Sequence, residues 1–138
     1  MKFDKDVAAQ ADVDLPIANL FFLNEYQERI AVFDFPDSEG PQADSADNRY
    51  PLWYYALGLG GEAGESVDKI KKIFRNDRGV VTDEARLALA LELGDTLWYL
   101  TRIAAKIDVT LGEVARLNIE KLADRARRGV LRSAGDNR

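Results

Sequence analysis

Hydrophobic positions recur every three or four residues through most of the chain, and no stretch alternates with the period of two that marks a half-buried strand. Over 15–33 the apolar set includes Leu15, Leu20, Leu23, Tyr26 and Ile30. Phe21, Phe22 and Phe33 widen it, which predicts a first helix with two burying faces. Asp14 is a candidate N-cap, Pro16 falls where an early turn tolerates it, and residues 1–12 read as a lead-in. A second stripe, Leu52, Tyr55, Leu59, Ala63, Val67, Ile70 and Phe74, predicts a helix over 51–75 opened by Pro51. After a turn at 76–82, Thr82 or Asp83 caps a third helix over 83–107. Its residues Leu87, Leu91, Trp98 and Ile103, with Leu89, Leu93, Leu97 and Leu100, make it apolar around much of its circumference and therefore central. Asp108 or Thr110 caps a fourth helix over 111–127, with Thr110 and Glu113 at capping-box spacing.

The prediction is one all-α domain over 1–138. Residues 34–50 (DFPDSEGPQADSADNRY) form a long acidic loop, and 129–138 a basic tail. The second and third helices carry more apolar surface than a small bundle covers, so a homodimer or homotetramer is expected. Gly58, Gly60, Gly61 and Gly64 interrupt the second helix. Each costs about 1 kcal/mol of helix propensity, so close approach of a helix or a ligand is expected there.

Composition removes several chemistries. The 138 residues include no Cys and no His. That excludes a disulfide scaffold, thiolate or imidazole metal sites, a Cys nucleophile and His-based acid–base catalysis. Any metal must be held by oxygen. The formal charge is −5, unevenly spread: residues 121–138 carry six basic and two acidic groups. A small anion suits that surplus better than a nucleic acid does, and no stable nucleic-acid complex is expected. Every candidate helix is broken by charge, so no membrane span is expected. The N-terminal stretch has no apolar h-region, and with cysteine absent the expected location is cytoplasmic.

Two acidic pairs carry the candidate chemistry. Glu62 and Glu65 are three apart on the second helix, and Glu92 and Asp95 three apart on the third, so each pair shares a face. Gly64 and Gly94 occupy matching places inside the pairs, leaving room for an ion or letting the helices close up. One reading is solvated acids on ordinary amphipathic helices. The other is an oxygen-only site suited to magnesium.

These residues resemble the signature of the all-alpha nucleoside triphosphate pyrophosphohydrolases of the MazG type: E-x-x-E, a spacer, then E-x-x-D. The likeness extends to Glu25-Tyr26-Gln27, LGLGGEAGE over 57–65, KIKK over 69–72, ELGDTLWYL over 92–100, Asn118 to Leu122 with Arg125, and the end GDNR. It implies a four-to-five-helix bundle that hydrolyses a (deoxy)nucleoside triphosphate between the α and β phosphates. Glu62, Glu65, Glu92 and Asp95 would bind magnesium, or manganese in its place, and Glu65 would orient or deprotonate the attacking water. Asn118, Lys121 and Arg125 resemble the family's phosphate and sugar contacts.

Lys69 and Lys72 follow Glu65 by four and seven residues and are candidates for the phosphate tail, although Glu65–Lys69 is also an ordinary surface pair. Asn24 and Gln27 are candidates for reading a base edge. Trp53, Tyr54 and Tyr55 fit core or dimer contacts better than a base box. Two alternatives stay open: a phosphoribosyl-ATP pyrophosphatase, and a non-catalytic helical regulator or antitoxin-like protein.

Overall fold

The computed structural model describes residues 21–34 and 52–129. They form α1 (Phe21–Ile30), extended by a 3-10 turn at Ala31–Phe33, then α2 (Leu52–Asp77), α3 (Asp83–Lys106) and α4 (Leu111–Arg127). No strand occurs among the described residues, as the periodicity predicts. Asp14, Pro16, Pro51, the loop from 35 to 50 and the tail from 130 lie outside them.

The last three helices fall within two residues of their predicted bounds because their ends are set locally. Thr82 Oγ1 accepts from Ala85 N at 3.2 Å, and Thr110 Oγ1 accepts from Glu113 N at 3.1 Å. The Glu113 carboxylate is engaged by Arg116, whose Nε lies 2.8 Å away, so half of the capping box forms. α2 ends where Arg78 and Gly79 take left-handed φ values of 55° and 84°. Asp108 sits at φ 56° in the turn before α4 and is not its cap.

α2 and α3 pack as an antiparallel hairpin. The order of facing pairs shows it: Lys69 meets Glu92, Gly58 meets Tyr99, and Tyr55 meets Arg102. α3 touches α1, α2 and α4, which is the central position its apolar circumference predicts. α4 packs on α1 and against α3. Among the described residues no helix is long and apolar enough to cross a membrane.

The hairpin turns inward a face of α2 that only partly overlaps the predicted apolar stripe. Tyr55, Ser66 and Ile73 are buried, and Glu62 and Lys69 are half-buried between them. These positions share one side of a 3.6-residue helix. The predicted apolar stripe shares Tyr55 with that face and has Leu59 half-buried, while its members Leu52, Val67, Ile70 and Phe74 stay exposed. The face that meets α3 joins the acid-bearing positions to the stripe's Tyr55, which packs against Trp98 and Arg102. Gly58 is the glycine that packing requires, because a methyl group there would overlap the Tyr99 ring. At Gly60, Gly61, Gly64 and Gly94 an added methyl would meet open space, so the helices do not close up at the acidic pairs.

One long-range network fastens α1 to the hairpin. Asp34 and Arg102 form an ion pair with both side chains 3% exposed, and the Tyr55 hydroxyl donates to the same Asp34 carboxylate. A buried pair of this kind holds only when further hydrogen bonds satisfy it, and Tyr55 supplies one.

Candidate metal centre

The antiparallel crossing of α2 and α3 converts two local pairs of acids into one cluster. One carboxylate oxygen from each of Glu62, Glu65 and Glu92 lies within 4.8 Å of the others. Asp95 stands outside that triad but close enough for its charge to act on Glu62. The Glu62 carboxyl is pushed above its ordinary value by burial first, then by Glu65, Asp95 and Glu92. Like charges have therefore been brought together at an energetic cost, which a cation would offset. Magnesium–oxygen bonds of about 2.0–2.1 Å need ligand oxygens only ~3–4 Å apart, so the triad fits an oxygen-bound divalent ion with small adjustment. Glu65 and Asp95 are exposed while Glu62 and Glu92 are half-buried, so the cluster opens to solvent on one side.

Lys69 lies in the cluster wall. Its Nζ is 2.9 Å from Glu92 Oε1, across the hairpin and not along its own helix to Glu65. The hydrogen bond to Glu92, then that residue's charge, pushes the ammonium above its ordinary value. Lys72 does not join the cluster: it pairs with Asp68 at 2.7 Å on its own helix, where Lys71 pairs as well. Hydrogen bonds from those two lysines push the Asp68 carboxyl down to about 2. The i,i+4 spacing of Asp68 and Lys72 makes that local pair, which outcompetes the predicted alignment with Glu65.

Two tyrosines border the acids. Burial raises the Tyr26 hydroxyl, and Asp95 adds to the shift. Tyr99 is raised by burial, then by Tyr54, with smaller contributions from Glu62 and Asp95. Tyr99 is one turn beyond Asp95, a spacing that could have marked it in the sequence.

Asn24 and Gln27 have a different role from the predicted one. Gln27 Nε2 donates to Val109 O at 3.2 Å, and Gln27 Oε1 accepts from Leu111 N at 2.6 Å. Asn24 Oδ1 accepts from Gly112 N at 2.9 Å. These amides satisfy the first backbone donors of α4, groups a helix cannot satisfy itself. They dock α4 on α1 and are not poised to read a base. Asn118 and Lys121 line an apolar groove of about 700 Å³ whose other walls include Leu23, Leu97, Leu100 and Leu111. None of the four acids lines that groove. Arg125 lies one turn beyond Lys121 on α4 and is half-buried. Tyr55 is wholly buried, as a core residue should be, and Trp53 is exposed.

A helical hairpin that turns carboxylates of both helices into one oxygen-only cluster defines an all-α protein with a candidate site for a hard cation. Residues 54–130 match the MazG nucleotide pyrophosphohydrolase domain, and the chain belongs to this family. It is 46% identical over 98 residues to the Gene 37 protein of Mycobacterium phage L5, a match covering 71% of this chain and 86% of that protein. No solved structure matches it.

Proposed function

We propose that the protein hydrolyses (deoxy)nucleoside triphosphates between the α and β phosphates, releasing monophosphate and pyrophosphate in nucleotide-pool house-cleaning. The observation that carries this reading is the convergence of Glu62, Glu65 and Glu92 within 4.8 Å in a chain of the MazG family. Those three, with Asp95 beside them, would hold magnesium or manganese. A divalent ion there would neutralise phosphate charge and lower the pKa of a bound water.

The chain's own groups supply the rest. Glu65, on the open side, orients the attacking water and takes its proton as the anhydride breaks. Lys69, at the cluster wall, supports the charge that develops on the departing pyrophosphate. Lys121 and Arg125 present two cationic groups on α4 for the remaining phosphate charge. We also assign the working state to a homodimer or homotetramer, supported by the exposed apolar stripes of α2 and α3. The test is a panel of standard and modified nucleoside triphosphates with magnesium, scored for monophosphate and pyrophosphate. Turnover of at least one substrate, abolished by EDTA, is the expected result. No pyrophosphate from any substrate would reject the reading.

A further inference from the structure

The acid cluster already holds a cationic group, paired across the hairpin and not along its own helix. Three lysines follow Glu65 on α2. Lys71 and Lys72 are held by Asp68 on their own helix, and Lys69 reaches across to Glu92 at 2.9 Å. The pair is partly shielded: the Glu92 side chain is 13% exposed and that of Lys69 31%. Glu92 is also one of the three carboxylates whose oxygens converge. An ammonium and a divalent ion therefore compete for the same ligand, and they repel if both stay.

From this geometry we infer that Lys69 is an exchangeable counter-ion. It holds Glu92 while the acids carry no metal, gives Glu92 up to the metal, and transfers its ammonium to the phosphate chain on the open side. The inference rests on the proposed function. Lysine suits the role because it is a point charge with rotating donors on a flexible stem, whereas a guanidinium would lock onto the carboxylate through two bonds. Lys69 is one turn past Glu65 on the same side of α2, so it can leave Glu92 while remaining beside the cluster's exposed acid.

The test is calorimetric titration of the full chain with Mn2+, then of the Mn2+-loaded protein with inorganic pyrophosphate. Parent, Lys69→Gln and Lys71→Gln are compared. Lys69→Gln should bind Mn2+ roughly three- to fivefold more tightly, since a competing ion pair is gone. It should bind pyrophosphate roughly tenfold more weakly, since a charge-assisted contact is gone. Lys71→Gln, which removes the same charge two residues away, should move neither by more than about twofold. Should Lys69→Gln fold poorly, Lys69→Met, which keeps the apolar stem, takes its place. Parental Mn2+ affinity, parental pyrophosphate affinity, or equal shifts in Lys71→Gln would each overturn the inference. A parent that binds no Mn2+ would overturn the proposed function itself, which separates the two failures.

Discussion

Asp34 shows how much one side chain can carry. It accepts from Arg102 of α3 and Tyr55 of α2 at the point where α1 ends, so it ties three helices together. Burial and the bond to Asp34 hold the Tyr55 hydroxyl well above its ordinary pKa of 10.0. Tyr55→Phe should cost about 1–3 kcal/mol, because Asp34 loses a buried donor. A raised folded pKa contributes stability that is complete below the unfolded value and is lost as pH climbs toward the folded one. The parent's advantage over Tyr55→Phe in thermal melts should thus be constant below about pH 9 and shrink above about pH 10. A gap that widened at alkaline pH would contradict the assignment. The four acids were legible in the sequence because E-x-x-E and E-x-x-D are one-turn spacings. The Asp34–Arg102 pair was not, because 68 residues separate its members and no local spacing joins them. Lys69 was legible as a candidate, but its partner depended on how the helices cross.

Helix ends and helix faces differ in how they are encoded. Thr82 and Thr110 act on donors three residues away, so the sequence placed the starts of α3 and α4. Which face of α2 turns inward depends on what it meets. The apolar stripe was visible, yet of its members only Tyr55 is buried, and the inward face also holds Glu62 and Lys69. The glycines of α2 separate by the same logic. Gly58 lies against the Tyr99 ring, and Gly60 faces open space. Gly58→Ala should destabilise by about 1–3 kcal/mol through overpacking. Gly60→Ala should gain up to about 1 kcal/mol of helix propensity where its surface is free. Chemical denaturation of the two variants checks the contrast, and a Gly58→Ala protein as stable as its parent would refute the packing. The predicted base-reading amides, Asn24 and Gln27, likewise turned out to serve an element, since α4 needs its first donors satisfied.

The described part of the molecule leaves apolar surface uncovered on both hairpin helices: Phe74 is 70% exposed, Leu57 69%, and Leu87 and Leu91 each 63%. Exposed apolar side chains on neighbouring helices are candidates for burial between copies of the chain. Sedimentation at low micromolar concentration should give a dimer or tetramer, and a single species near 15.4 kDa would exclude it. Phe74→Glu should shift that equilibrium toward monomer by placing a charge in the contact. The central claim is that the carboxylates of the hairpin act together on a triphosphate. Its most direct test is product analysis of a deoxynucleoside triphosphate reaction with magnesium, run on the parent and on Glu65→Gln and Asp95→Asn. The parent should release monophosphate and pyrophosphate in equal amounts. Both variants should fold normally and lose roughly a hundredfold or more in rate. Near-parental turnover in both variants, or diphosphate and orthophosphate as first products, would contradict the account.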